Sequence, residues 1–274
     1  MRIMLGVISL LVTAMLFFLE SLWAASRVTL CRMVAAISPE PLPIYAPIEM
    51  VDILASLALR GRSRDGMGHP HGWGMLAFLR GQLVAYVRSL KPAWQAEFRE
   101  GFRADLLLLH ARRTSVGEVL IKNTHPFVRL HEGRLWGLAH NGTIERWEAL
   151  VGDRRGDMLG DTDSEALLVY LSLAGSLRNA AAKLRELRSR IEELGLKSAT
   201  NILTDGESLL ASKATAEGEN ACTLYWTTRD WGGVESLVLS SEPIREWGDK
   251  WEEVPNWSSL LVKKARGGLL VEYV

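Results

Sequence analysis

Short strand-like runs fall in two blocks on either side of a stretch of helical periodicity, and this arrangement narrows the possible folds more than any other feature. The first block holds Met33 to Ile37, Trp73 to Leu79, Gln82 to Val87, Asp105 to Ala111 and Leu135 to Ala139. Trp73–Leu79 and Gln82–Val87 flank Arg80-Gly81 and read as a β-hairpin. The second block holds Ala199 to Leu203, Ser208 to Ser212, Cys222 to Thr227, Ser236 to Leu239, Ser258 to Val262 and Leu269 to Tyr273. Between them, Ser164–Leu173 and Leu177–Leu194 carry apolar residues at helical spacing, as does Ile48–Leu59 earlier. In Leu177–Leu194 the residues Leu177, Ala181, Leu184, Leu187, Ile191 and Leu194 form one stripe. Lys183, Arg185, Glu186 and Arg190 lie opposite, as in a surface helix packed on a sheet. Pro39, Pro41, Pro43 and Pro47 mark a loop after the first run. Helices grouped between strand blocks predict a layered α+β domain rather than strict βαβ alternation.

Charge is balanced, 32 basic against 32 acidic residues in 274. No global field recruits nucleic acid or an anionic membrane, and no basic stripe marks a nucleic-acid surface. The chain has two cysteines, Cys31 and Cys222, so a disulfide scaffold is not expected and each needs its own account.

The N-terminus is a separate matter. Ile3 to Ala25 is nearly continuous apolar sequence, long enough for a membrane-crossing helix of roughly 20 residues. With Arg2 ahead of it, the segment also reads as a secretion signal. A third reading is that translation starts later, because Val28 and Leu30 are residue types that GTG and TTG codons encode. The expected organisation is therefore an apolar segment 1–30 (an anchor, a signal or an untranslated stretch) and one domain, 31–274.

Polar chemistry is concentrated on the otherwise apolar strands. All six histidines lie between His69 and His140. The clusters are His69-Pro-His71-Gly-Trp-Gly74, His110-Ala-Arg112-Arg-Thr-Ser115, Asn123-Thr-His125-Pro-Phe127, His140-Asn-Gly142 and Asp161-Thr-Asp163-Ser-Glu165. Buried polar groups cost free energy unless they are used, so such decoration signals a site. Each cluster has a plainer reading. Asn141-Gly142 is a common turn pair. Asp161 or Asp163 before an apolar helix is an N-cap. His69 and His71 alternate, so in a strand they would share a face fit for a metal, but no third ligand follows at a suitable spacing. Arg112 reads as a structural ion pair, and Cys31 and Cys222 as small buried hydrophobes.

Taken in order, these pieces resemble the glutaminase domain of class II glutamine amidotransferases, in its small single-domain branch. The resemblance rests on Cys31-Arg32, Gly72-Trp73-Gly74, His110-Ala-Arg112, Asn123-Thr-His125-Pro-Phe127, His140-Asn141-Gly142 and Thr162-Asp163-Ser-Glu165. Ser240-Ser-Glu242-Pro243 and Trp251 extend it. It implies the four-layer αββα sandwich of the N-terminal nucleophile hydrolases, with two antiparallel sheets covered by helices. It also implies release of glutamate and ammonia from glutamine by a cysteine at the mature N-terminus, here Cys31. Asn141 and the Gly142 N–H would form the oxyanion hole. Arg112 would hold the substrate α-carboxylate, Asp163 the α-ammonium, and His125 and His140 would shape the pocket.

The chemistry has a physical basis. A thiol titrates near ~8.5 and an α-amine near ~7.7–8.0, so a neutral terminal amine can take the thiol proton near neutral pH. An internal Cys31 offers an amide nitrogen, which is not a base, so activity requires residues 1–30 to be absent. No metal and no cofactor is called for. The expected partners are L-glutamine or another γ-glutamyl small molecule, and a separate ammonia-accepting synthase subunit, because the sequence after Glu242 is too short for a second active site. The expected location is cytoplasmic, with membrane attachment only if residues 3–25 are real and retained. Two alternatives remain: a γ-glutamyl amide hydrolase of thiol metabolism, and a non-catalytic, membrane-tethered glutamine-binding module. Arg113 replaces an aromatic residue common in the family, and Ser115-Val116 replaces a Thr-His pair, so the lid and the specificity depart from the pattern.

Overall fold

A computed structural model describes residues 31–60, 68–114, 117–216, 222–248 and 250–274. The N-terminal segment 1–30, with its anchor, signal and late-start readings, lies outside the described residues, as do Ser115 and Val116. The described chain runs through β1 (Arg32–Ile37), α1 (Ala46–Arg60), the hairpin β2 (Trp73–Leu79) and β3 (Gln82–Ser89), β4 (Leu106–Ala111), β5 (Phe127–His131) and β6 (Arg134–Ile144). The helical block follows as α2 (Glu148–Val151), α3 (Asp163–Ser172), α4 (Leu177–Glu186) and α5 (Ile191–Leu194). The chain closes with β7 (Leu196–Thr204), β8 (Ser208–Lys213), β9 (Tyr225–Asp230), β10 (Glu235–Ser240), β11 (Glu252–Glu253), β12 (Ser258–Ala265) and β13 (Gly268–Tyr273).

The strands form two antiparallel sheets. One has the order β11-β9-β10-β1-β4-β2-β3 and the other β13-β12-β8-β7-β6-β5. Three apolar clusters separate the layers. Met33, Ala35, Ile37, Leu106, Leu108, Ile202 and Leu209 fill the space between the sheets. Val34, Ala36, Leu107 and Leu109 face the other way, onto Met50, Leu54 and Leu57 of α1. Leu138 and Leu203 meet Leu167, Leu171, Leu177 and Leu184 of α3 and α4 on the outside of the second sheet. The four-layer αββα sandwich is thus present. Strands β1 and β4 are buried on both faces, which is why they read as unbroken apolar runs rather than alternating ones.

Several sequence expectations need correction. Leu177–Leu194 is not one helix. It breaks into α4, a 3-10 turn at Leu187–Arg190 and α5, and the Ser189 hydroxyl donates to the Glu186 carbonyl at 2.8 Å, competing with the helical bond at that point. Pro47 lies in the first turn of α1 rather than in the loop, where its missing N–H costs nothing. The strand expected over Cys222–Thr227 begins later, at Tyr225, and β5 and β11 had no counterpart in the pattern. Asn141-Gly142 is not a turn: both residues sit inside β6, paired with Thr200 and Ala199 of β7.

Candidate active site

Cys31 stands just before the central strand of the first sheet. Antiparallel pairing sets Arg32 opposite Ala111 and Met33 opposite His110, so the end of β4 delivers Arg112 and Arg113 beside Cys31. The second sheet brings His140, Asn141 and Gly142 against the same point from β6. The Asn141 amide grips the Cys31 main chain on both sides: its Oδ1 accepts from Cys31 N at 3.0 Å and its Nδ2 donates to Cys31 O at 3.0 Å. The Arg113 N–H donates to the Cys31 sulfur at 3.3 Å, and the thiol reaches the Arg113 carbonyl at 3.4 Å.

Burial pushes the Cys31 thiol above its ordinary value. The Arg113 N–H and the guanidinium groups of Arg112 and Arg32 pull it down, and Asp163 pushes it up. The net direction leaves a protonated thiol, which needs a base to attack anything. The neighbouring histidines do not supply one. Among the described residues, no imidazole nitrogen is bonded to the sulfur. Desolvation holds His110 and His125 well below the ordinary histidine range, and His140 below it. His110 and His125 stack at 4.0 Å between centroids, and His125 meets the Phe127 ring edge-on. His110 Nε2 bonds the His140 carbonyl at 3.2 Å, and His140 Nδ1 bonds Ser164 Oγ at 2.8 Å. These are neutral rings packed behind the site.

Arg112 and Asp163 are both buried, and their charges reach Cys31 and each other. Arg112 Nη1 donates to the Glu118 carbonyl at 2.9 Å. Asp163 opens α3, but the N-cap is Thr162, whose hydroxyl accepts from the Glu165 N–H at 3.2 Å. The N-cap reading of Asp161 and Asp163 is thereby corrected. The Asp163 carboxylate instead accepts from Ile144 N and Ser164 N, both at 2.9 Å, which fixes it towards β6. Asp161 pairs with the Asn123 amide at 2.6 Å, tying the loop before His125 to the start of α3.

Two glycines are required by close approach. A Cβ on Gly74 would strike the His125 carbonyl, and one on Gly142 would strike the Ser198 carbonyl and His140 Nε2. The Gly72-Trp73-Gly74 piece is thus what lets the histidine loop lie against β2.

His69 and His71 do not share a strand face. They lie in the loop before β2, His69 bonded to the Ala58 carbonyl at 2.9 Å and His71 accepting from Thr114 N at 2.9 Å. Cys222 is buried far along the chain, with its sulfur 2.8 Å from Ser198 Oγ. A cleft of about 610 Å³ opens at the other ends of the same strands, beside Arg80, Asp105, Arg134 and Lys264, and is remote from Cys31. Sequence reasoning assigned no role to Ser164, Glu118 or Glu242. Glu118 acts through its carbonyl, for which no residue-type signal exists, while Ser164 and Glu242 fell inside quoted clusters without a partner to give them meaning.

A family model described as glutamine amidotransferases class-II matches residues 46–230. The chain is 30% identical over 197 residues to YafJ of Escherichia coli (strain K12), a glutamine amidotransferase by name only, covering 67% of this chain and 72% of that one. A similarly named protein of Haemophilus influenzae is 30% identical over 168 residues, with 56% of each chain covered. The fold is similar to that of the glutamine phosphoribosylpyrophosphate amidotransferase from B. subtilis complexed with ADP and GMP. The TM-score is 0.64 at 16% identity, over 88% of this chain and 49% of that one. It is also similar to a class-II domain protein from Silicibacter pomeroyi, with TM-score 0.54 at 18% identity, over 88% of this chain and 98% of that one.

Proposed function

The chain belongs to the class II glutamine amidotransferases, and we propose that within this family it hydrolyses the side-chain amide of glutamine with the Cys31 thiol at a mature N-terminus. One observation carries the reading. The Cys31 nitrogen and sulfur, the Asn141 amide, and the opposed charges of Arg112 and Asp163 converge where the two sheets meet. A raised thiol pKa without an imidazole partner calls for a base, and the terminal amine is the nearest one the chain can provide. In bonding to Asn141 Oδ1 that nitrogen uses one hydrogen and keeps its lone pair for the thiol proton.

The steps follow. The neutral amine takes the Sγ proton, and the thiolate attacks the amide carbon. The oxyanion is met by the second Asn141 Nδ2 hydrogen and the Gly142 N–H, donors of a kind typically worth ~2.7–4 kcal/mol each. The C–N bond breaks, and ammonia leaves with the proton held by the amine. Water, deprotonated by the same amine, then cleaves the thioester to give glutamate. Arg112 holds the substrate α-carboxylate as a two-pronged fork and Asp163 holds the α-ammonium. His125 and His140 shape the pocket as neutral rings. The working form begins at Cys31, and the ammonia passes to a separate synthase.

The guanidinium of Arg113, tied to the Gly68 carbonyl at 2.6 Å where an aromatic residue is common, favours a second reading. In it, a γ-glutamyl amide with a larger leaving group is the substrate, cleaved by the same residues.

The test is to express the protein from Met-Cys31, establish methionine removal by mass, and follow glutamate release from L-glutamine beside Cys31→Ala. Release that disappears in the variant supports the reading. A folded, correctly processed protein that releases nothing from glutamine overturns it in favour of another γ-glutamyl amide.

A further inference from the structure

Cys31 is gripped from a second side by a pair of charges that the steps above do not use. The Arg32 guanidinium donates through Nη1 to the Cys31 carbonyl at 3.3 Å and through Nε to Glu242 Oε1 at 3.1 Å. Asn141 Nδ2 reaches the same carbonyl from the opposite sheet, so that oxygen is held by two donors from two directions. Glu242 is itself fixed. The Ser240 hydroxyl donates to the Glu242 carbonyl at 2.6 Å, and the neighbouring Ser241 bonds Met33 through both its N–H and its hydroxyl. The segment 240–242 thus runs along the start of β1 as a brace. The Arg32 side chain is 16% exposed and Glu242 37% exposed, so water screens the pair only in part.

We infer that Arg32, anchored by Glu242, is a positioning residue that holds the Cys31 amine and thiol in register with Asn141 and poises both for proton transfer. The inference rests on Cys31 being the nucleophile. A fixed cation beside an amine–thiol pair keeps the resting amine neutral, the form that can accept a proton, and favours the thiolate once the proton has left. The other charged groups acting on Cys31 are Arg112 beyond β4 and Asp163 on α3, while Arg113 meets the sulfur through its backbone N–H. On the proposed mechanism Arg112 is reserved for the substrate carboxylate, whereas Arg32 keeps its own partner, Glu242, with or without substrate. His110 and His140 stand nearby as neutral rings.

The experiment measures the rate of Cys31 alkylation by iodoacetamide against pH, read at the Cys31 peptide by mass, in processed protein and in Arg32→Gln, Arg32→Lys and Glu242→Gln. Glutamate release is measured in parallel. Arg32→Gln should move the alkylation midpoint up by about one pH unit and lower kcat near neutral pH by about tenfold with KM unchanged. Arg32→Lys should keep the midpoint, since the charge remains, and lose kcat because an ammonium cannot bridge the Cys31 carbonyl and Glu242. Glu242→Gln should lower kcat without raising the midpoint. A wild-type midpoint and kcat in Arg32→Gln overturn the inference. If Arg32→Gln fails to fold, the opposed behaviour of Arg32→Lys and Glu242→Gln decides it: no loss of kcat in either overturns the positioning role. Alkylation needs no substrate turnover, so a protein inactive on glutamine sinks the glutaminase reading while the thiol midpoint still decides this one.

Discussion

Gly142 occupies a strand position that admits no side chain. β7 passes so close that a methyl group would displace the Ser198 carbonyl or the His140 ring, and the Gly142 N–H is one of the two proposed oxyanion donors. Gly142→Ala should therefore reduce kcat for glutamine by at least a factor of about 10², the loss expected for one misplaced donor. Substrate binding through Arg112 and Asp163 would persist. Steady-state kinetics with wild-type KM and collapsed kcat would bear this out, whereas an unaltered kcat would remove Gly142 from the hole. The residues of this neighbourhood were legible as an ordered set, since Cys31, Arg112, Asn141, Gly142 and Asp163 sit in pieces that made sense only together. Their environments were not. Asn141-Gly142 has the composition of a turn, and only the presence of β7 on one flank keeps it extended. Asp163 has the composition of a cap, and only the nearness of β6 lets its carboxylate bridge the Ser164 N–H of its own helix and the Ile144 N–H of that strand.

At the scale of elements, α1, the β2–β3 hairpin and the two central strands could be read directly. The helical period of α1 matches the face it buries, and the unbroken apolar runs of β1 and β4 match burial on both faces. β5 could not, because it lies at the edge of its sheet and leaves Leu130 70% exposed, so no alternation marks it. β11 has two residues and carries no period at all. The helix ends are set by local bonds that sequence suggests and only coordinates establish. Ser176 caps α4 by accepting from Asn179 N at 3.2 Å. Ser176→Ala should lower stability by about 1 kcal/mol and Ser176→Gly by only a few tenths. Urea unfolding would separate the two, and equal midpoints for both variants and wild type would mean that the cap contributes nothing.

For the molecule as a whole, the buried imidazoles set a pH limit. His110, His125 and His140 are held below the ordinary histidine value by desolvation, while in the unfolded chain each titrates near ~6.5. Between the folded and unfolded values the unfolded chain binds more protons, so stability rises with pH across that window. These groups exert no drag above about pH 6.5, and stability falls as pH drops below it. Urea midpoints measured from pH 8 to pH 5 should be flat in the upper half and decline in the lower half. A midpoint that climbs on acidification would contradict the neutral state of the three rings. The membrane question stands apart from this: among the described residues, no helix is long and apolar enough to cross a bilayer.

The central position of β1 also has a consequence in time. β1 is seated between β4 and β10, and Arg32 is separated from its anchor Glu242 by 210 residues. On a ribosome adding about 5–20 residues per second, the anchor is made about 10–40 s after the strand it secures. For that interval the thiol rides on an unbraced strand without its full set of partners. On the proposed mechanism, a chain still being synthesised carries its thiol unarmed, and turnover waits until residue 242 has left the ribosome.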